Sequence, residues 1–325
     1  MSVNRPVALV TNAMGFAGPG AVAGLLATGY RVFAQDPAFS ESTARERFCA
    51  GRDNLLPIEC TDPREIISDI SAREGRLDAV VSNDHFPAPG NLPEDADTES
   101  LQANYRFLVE APFRLVQAAL PLLRDAQSGN VVMITSNRTR LPLSGAAFPD
   151  AARAAANALV RSLAVDLAGD GIVVNAVAPN FLYSETYYPK AVFEHTEAGR
   201  AHVRHSVPVG RLAGQDEIGE VIAFLASVKT RFLTGAVIDF SGGWPFGASR
   251  PEVSDSDVPP ADPKSDIDVI GNHGERGIGQ PYVEPNSGMG LPKSAHGSGE
   301  RFGREAGGGG QPDQSGSFLK SQSLV

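Results

Sequence analysis

Through the first 250 residues of this chain, apolar runs of strand length alternate with segments whose apolar residues recur at helical spacing. "VALVTN" (7–12) passes through a glycine-rich turn into "GAVAGLLATG", and Gly29 stands where that helix should stop. Later runs break off in polar or turn-forming residues: "RVFAQD" in Asp36, "LDAVVSND" in Asp84, "GNVVMITS" in Ser136 and "GIVVNAVAPN" in Asn180. A helix, "DEIGEVIAFLAS", and a last strand, "GAVIDFSGG", complete the series. The alternation predicts an α/β fold, a doubly wound parallel sheet in a single domain over residues 1–250. Ligands of such sheets sit at the carboxyl ends of the strands, so these terminal residues mark the candidate site.

From about Ser254 the pattern stops. Residues 251–325 hold 14 of the 34 glycines and 8 of the 24 prolines, with serine, aspartate and a "GGGG" run. That composition cannot offset its ordering entropy with a core of its own. It predicts a tail that is disordered in isolation, or one laid over a neighbouring subunit through Ile270, Ile278, Tyr282, Leu291, Phe302, Phe318 and Leu319. Cys49 and Cys60 are too few for a disulfide framework and wrongly spaced for a zinc knuckle, which fits a reducing compartment. No signal-peptide pattern opens the sequence and no apolar run approaches membrane-spanning length, so a cytoplasmic location and no membrane partner are expected. A formal charge of -10 argues against nucleic acid, whose phosphates need clustered Lys and Arg.

The turn after the first strand, "TNAMGFAGPG", runs from Thr11 to Gly20. A dinucleotide fold needs glycines here so that backbone and helix N-terminus can approach a pyrophosphate. Gly15, Gly18 and Gly20 are present, but Asn12 stands where a glycine is wanted and Phe16 occupies the middle of the loop. A bulky ring at that point argues against a bound dinucleotide, and no cofactor is expected; NAD(P) is the lesser alternative. Asp36 would suit an adenosine ribose, and is equally a turn former. His195, His202 and His205 lack both a nearby cysteine and a helical H-E-x-x-H frame, so no metal site is expected.

Residues 6 to about 246 resemble the short-chain dehydrogenase/reductase superfamily, including the late "FLTGAVIDFSGG". Within it the chain looks most like the halohydrin dehalogenases, whose first signature T-x4-(F/Y)-x-G is met by Thr11, Phe16 and Gly18. The resemblance implies a Rossmann-like fold, a halide pocket in place of the nicotinamide, and haloalcohol-to-epoxide chemistry. It carries Phe16, Pro87, Asn180, Phe181 and Tyr188 over as halide or substrate pocket, from "SNDHFPAP" and "APNFLYSETYYP".

The family's catalytic pattern is S-x12-Y-x3-R. The serine binds the substrate oxygen, the tyrosine acts as base, and the arginine one helical turn on lowers the phenol's pKa. Ser136 and Arg153 stand at the matching positions, with Pro149 where the tyrosine should be. Proline is acceptable in a helix's first turn, so the fold survives the change and the base does not. Phe148 has no hydroxyl. Asp150, with an ordinary pKa near 3.9 that a helix's first turn should depress further, is a poor substitute. His85 at a strand end could act as base near neutral pH, and Tyr183, Tyr187, Tyr188 and Tyr282 are the other hydroxyls to consider.

The reductase alternative meets further departures: Arg153 replaces the usual lysine, and the window 105–112 lacks the asparagine of the reductase proton relay. The resemblance also implies pairing through "ESLQANYRFLVEAPFRLVQAALPLL" and "DAARAAANALVRSLAVDL", the second with Ala151, Ala152, Ala154, Ala155, Ala156 and Ala158 for close packing. Three readings follow: a catalytically degenerate subunit in a homo- or hetero-oligomer with an active paralogue, an active lyase with a replacement base, and a reductase with an unusual cofactor loop.

Overall fold

The computed structural model describes residues 5–87, 90–126 and 129–247. The tail anchors from Ile270 to Leu319, and Tyr282 among them, lie outside the described residues. In chain order the elements are β1 (Val7–Val10), α1 (Gly18–Ala27), β2 (Arg31–Gln35), α2 (Ser42–Cys49), β3 (Leu55–Ile58), α3 (Pro63–Glu74) and β4 (Ala79–Ser82). They continue with α4 (Thr98–Tyr105), α5 (Ala111–Asp125), β5 (Asn130–Ile134), α6 (Ala147–Leu167), β6 (Val173–Pro179), α7 (Lys190–Phe193), α8 (Glu197–Ser206), α9 (Gln215–Ser227) and β7 (Val237–Phe240).

The strands form one seven-stranded parallel sheet in the order β3-β2-β1-β4-β5-β6-β7. Chain direction across the sheet reverses between β1 and β4, the switch point where a crevice opens at the carboxyl edge. Both sheet faces are covered, which is why the strands read as nearly unbroken apolar runs. Leu9, Phe33, Val80, Val131 and Met133 pack on one face with residues of α3, α5 and α6. Val10, Val32, Ala34, Val81 and Val132 pack on the other with residues of α1 and α9. The contact of α1 with α9 requires glycine: a Cβ on Gly24 would lie 2.3 Å from the Gly219 carbonyl oxygen.

Two departures from sequence expectation have local causes. β3 carries Pro57 inside its apolar run, which disguises it as a non-strand; as the outermost strand beside β2 it tolerates the missing N–H. The segment expected to be one long helix from residue 99 to 123 is divided, because a π-helical turn at Arg106–Glu110 joins α4 to α5.

Candidate functional site

Thr11, Asn83, Ser136 and Asn180 follow β1, β4, β5 and β6 and so share the carboxyl edge of the sheet. The β1–α1 loop is tied to it by Asn83, whose side-chain amide donates to the carbonyls of Asn12 and Gly15, both at 2.9 Å, while its backbone N–H donates to Thr11 Oγ1 at 3.1 Å. Phe16 holds a left-handed backbone, φ 49°, a conformation that costs a non-glycine residue about 1–3 kcal/mol and tends to mark functional sites.

The first turn of α1, which would face a pyrophosphate, has its donors engaged. Gly18 N–H donates to Gly15 O at 2.8 Å, Pro19 has no N–H, and Gly20 N–H donates to Gln215 Oε1 at 3.0 Å. The same Gln215 amide donates to Phe16 O at 2.7 Å and Tyr183 O at 2.9 Å, locking α9 onto the loop. Asp36 is buried and takes its turn-forming role: one carboxylate oxygen accepts from Met14 N–H at 2.9 Å, the other from Ala38 N–H at 3.0 Å. Gln215 was not singled out in the sequence, because nothing local ties residue 215 to a loop almost 200 positions earlier.

Around Phe16 three rings meet. Tyr187 packs edge-on at 5.2 Å between centroids and His85 tilts against it at 5.9 Å. The His85 ring also lies over Gly15, where a Cβ would come within 2.9 Å of it.

Ser136, two residues past β5, is buried; its hydroxyl donates to Pro179 O at 3.4 Å and accepts from Arg138 N–H at 3.2 Å. Arg153, on the second turn of α6, is buried with its guanidinium donating to Asp84 O at 3.1 Å and Thr135 O at 3.4 Å. Pro149 sits in the first turn of α6, ahead of the first helical bond, Asp150 N–H to Ala146 O at 2.9 Å, and so costs the helix no bond. Asp150 corrects an expectation: its pKa is pushed up, since partial burial outweighs the ion pair with Arg138 at 2.7 Å. That ion pair also turns the carboxylate toward Arg138. Asn104, one residue before the 105–112 segment that lacks a relay asparagine, is fully buried, with its side-chain amide donating to Ser100 O at 2.8 Å.

The positions carried over as halide pocket divide. Asn180, Phe181 and Tyr188 come together: Tyr188 Oη donates to Asn180 Oδ1 at 2.6 Å, and the Phe181 and Tyr188 rings lie 5.1 Å apart. They join Trp244, Val203 and Val207 in a separate apolar cluster. Phe16 makes its ring contacts instead with Tyr187 and His85, and Pro87 is exposed beyond β4. Of the histidines set aside as a metal site, His202 packs on the Phe181 and Phe193 rings, and no group among the described residues could hold a metal.

The three loop tyrosines are distinguished by their hydroxyl partners. Tyr183 donates outward to Glu185 at 2.6 Å; Tyr188 is held by Asn180, and burial pushes its pKa up to about 12. The Tyr187 hydroxyl is buried in polar contact with the Arg153 guanidinium and the Phe86 backbone N–H, neither in ordinary hydrogen-bond geometry, and has no acceptor within the protein. Burial raises the Tyr187 pKa, opposed by Arg153. Ser184 positions this ring by accepting Tyr187 N–H at 3.1 Å and pairing with Tyr188 across the turn. Nearby, burial raises the Asp84 pKa to about 6 against a 2.5 Å bond from Ser82 Oγ and the charge of Arg153. Burial lowers that of His85, opposed by polar contact with the Asn83 backbone, and its Nδ1 has no partner in ordinary hydrogen-bond geometry.

The sheet order, with its switch point between β1 and β4, is that of the doubly wound nucleotide-fold class. A family profile described as enoyl-(acyl carrier protein) reductase matches residues 18–245, and the chain belongs to the short-chain dehydrogenase/reductase superfamily. It is 30% identical over 251 residues to the 3-oxoacyl-[acyl-carrier-protein] reductase FabG of Salmonella typhimurium, covering 75% of this chain and 98% of that protein. Among solved structures it is similar to one titled "Dehalogenation enzyme", with 34% identity and a TM-score of 0.71, covering 75% of this chain and all of the other (100%). It is also similar to halohydrin dehalogenase (HheC) bound to ethyl (2S)-oxiran-2-ylacetate, with 31% identity and a TM-score of 0.72, covering 75% and 99% of the two chains. Among the described residues no helix is long and apolar enough to cross a membrane.

Proposed function

We propose that this chain is a dinucleotide-free member of its superfamily that interconverts small haloalcohols and epoxides. The observation that carries the reading is the closed nucleotide corner. The residues present do not fit a dinucleotide: Gly18 and Gly20 N–H groups are engaged by the protein, Pro19 offers none, and Asp36 holds the loop rather than presenting a free carboxylate. The Phe16, His85 and Tyr187 rings pack beside that loop. Similarity to a halohydrin dehalogenase bound to an oxirane supports the same chemistry.

In this reading Ser136 binds the substrate oxygen and Arg153 supplies fixed positive charge where oxygen charge develops. The substrate hydroxyl gives up its proton to solvent, its oxygen forms the C–O bond as the neighbouring carbon–halogen bond breaks, and halide leaves with the electron pair, so no hydride acceptor is needed. The test is halide release from a small vicinal haloalcohol by the purified chain. Release abolished by Ser136→Ala, with no change in nicotinamide fluorescence on titration, is the expected result; nicotinamide-dependent carbonyl reduction would overturn the reading. Pro149 favours a second reading, a catalytically silent subunit assembled with an active relative. Halide release only after co-expression with a chain carrying tyrosine at the equivalent position would establish it.

A further inference from the structure

Resting on the haloalcohol–epoxide reading, we propose that Tyr187, from the loop after β6 rather than from α6, is the catalytic hydroxyl of this site and donates its proton to an epoxide oxygen during ring opening by a small anion. On α6 the residue one turn before Arg153 is Pro149, so the Arg153 guanidinium has no helical phenol to face. The structure supplies one from elsewhere: the Tyr187 hydroxyl lies against Arg153, on a ring fixed by Phe16 at 5.2 Å and by the Ser184 bond to its backbone.

Both polar neighbours of this oxygen, the Arg153 guanidinium and the Phe86 N–H, are donors. They can stabilise a phenolate once formed, but neither can accept the phenol proton. That proton therefore points to no protein group, whereas the hydroxyls of Tyr183 and Tyr188 are committed to Glu185 and Asn180. A buried donor without an acceptor, beside charge that favours its conjugate base, is the arrangement a general acid requires.

The step balances. The anion's electron pair forms a bond to an epoxide carbon, the ring C–O bond breaks, and its electron pair passes to the oxygen, which takes the Tyr187 proton. The phenolate is left beside Arg153 and is reprotonated from solvent, so the net reaction is epoxide plus anion plus proton to a β-substituted alcohol. Burial raises the phenol's pKa, with Arg153 and, further off, Arg138 opposing it, so at neutral pH the acid form dominates and ring opening is the direction primed. The other charged groups near this corner are Asp84 beside Arg153 and Asp150 paired with Arg138, with His85 across the Phe16 ring.

The test follows consumption of a small terminal epoxide with azide as nucleophile, using the full chain, Tyr187→Phe, Ser136→Ala and His85→Gln, each checked for folding by circular dichroism. Tyr187→Phe is expected to lower the rate by about 10²–10⁴-fold, the usual contribution of a positioned acid. The wild-type rate should be flat around neutrality and fall only in the alkaline range, where a phenol with a raised pKa ionises; the residual rate of Tyr187→Phe should lack that limb. A Tyr187→Phe rate within two-fold of wild type, with loss in Ser136→Ala or His85→Gln, would overturn this inference and leave the haloalcohol–epoxide reading standing. No turnover by the folded wild type, of epoxide or of haloalcohol, would overturn both.

Discussion

Two corners of the same sheet edge, a few residues apart in the fold, treat their buried polar groups in opposite ways. In the β1–α1 corner the donors of Gly18, Gly20 and Met14 all have protein acceptors, and Asn83 and Gln215 bridge loop, strand and helix, leaving Asn83 Oδ1 buried without a hydrogen bond. In the β4–β5–α6 corner Thr135 Oγ1, His85 Nδ1, Asn157 Oδ1 and Tyr187 Oη are buried with no partner in ordinary hydrogen-bond geometry. An unpaired buried polar atom costs about 1–3 kcal/mol, so a cluster of them is retained only where something else completes it. The contrast separates a corner whose donors are largely satisfied by its own groups from one where four buried polar atoms are not.

The largest expected effect comes from restoring the missing phenol to its helical position. Pro149 precedes the first helical N–H, so tyrosine can replace it without disturbing a hydrogen bond, and Arg153 remains four residues on, one turn away. Introduced into the Tyr187→Phe background, Pro149→Tyr should recover epoxide opening by about 10²–10⁴-fold, since one hydroxyl beside Arg153 substitutes for another. Azide-dependent epoxide consumption measures it. A folded double variant with no recovery would mean that the open corner is ordered around the loop tyrosine and not around Arg153.

A smaller effect should appear in stability against pH. Asp84 titrates near pH 6 in the folded chain, because its buried carboxylate is desolvated more than Arg153 and Ser82 compensate. Its unfolded value is near 3.9, so the folded state holds the proton more tightly. This contribution is complete below about pH 4 and is lost as pH rises through 6, amounting to about 3 kcal/mol between the two limits. Asp84→Asn should therefore raise the urea midpoint at pH 8 and leave it nearly unchanged at pH 4. An equal effect at both would show that the carboxylate of this corner is adequately solvated or paired, against the contrast drawn above.

What the sequence disclosed follows the same division. Strand alternation and the polar strand ends were sufficient for the parallel sheet and for placing Ser136 at its carboxyl edge, because those signals are local, whereas Arg153 was legible only through the family's catalytic spacing. β3 was hidden by Pro57, whose lost N–H matters only if the strand is interior. Gln215 was hidden for a different reason, and Tyr187 could be named only as one of four candidate hydroxyls: each makes its contact with an element far along the chain, and no spacing rule connects residue 187 to the guanidinium of Arg153. The same holds for Asp150, where helix position argued for a lowered pKa and tertiary burial reverses the direction. The sequence also joined Phe16 to Phe181 and Tyr188 in one pocket, whereas the fold gives its ring to Tyr187, their neighbour in the same loop.

The smallest predicted effect tests how the first corner is closed. Gln215 has one side chain in three bonds: it accepts from Gly20 N–H and donates to the carbonyls of Phe16 and Tyr183. Gln215→Ala removes all three and should lower stability by about 1–3 kcal/mol, toward the low end if water reaches the freed carbonyls. The freed Gly20 N–H at the start of α1 would then resemble an ordinary helix N-terminus, which attracts anions. Inorganic phosphate should consequently raise the melting temperature of Gln215→Ala more than that of the wild type, since a ligand stabilises only the state that binds it. Equal shifts in the two proteins would place the obstruction elsewhere, on Pro19 and the Phe16 ring. The corner would then be closed by shape rather than by hydrogen-bond satisfaction, and the comparison between the two corners would rest on the tyrosine side alone.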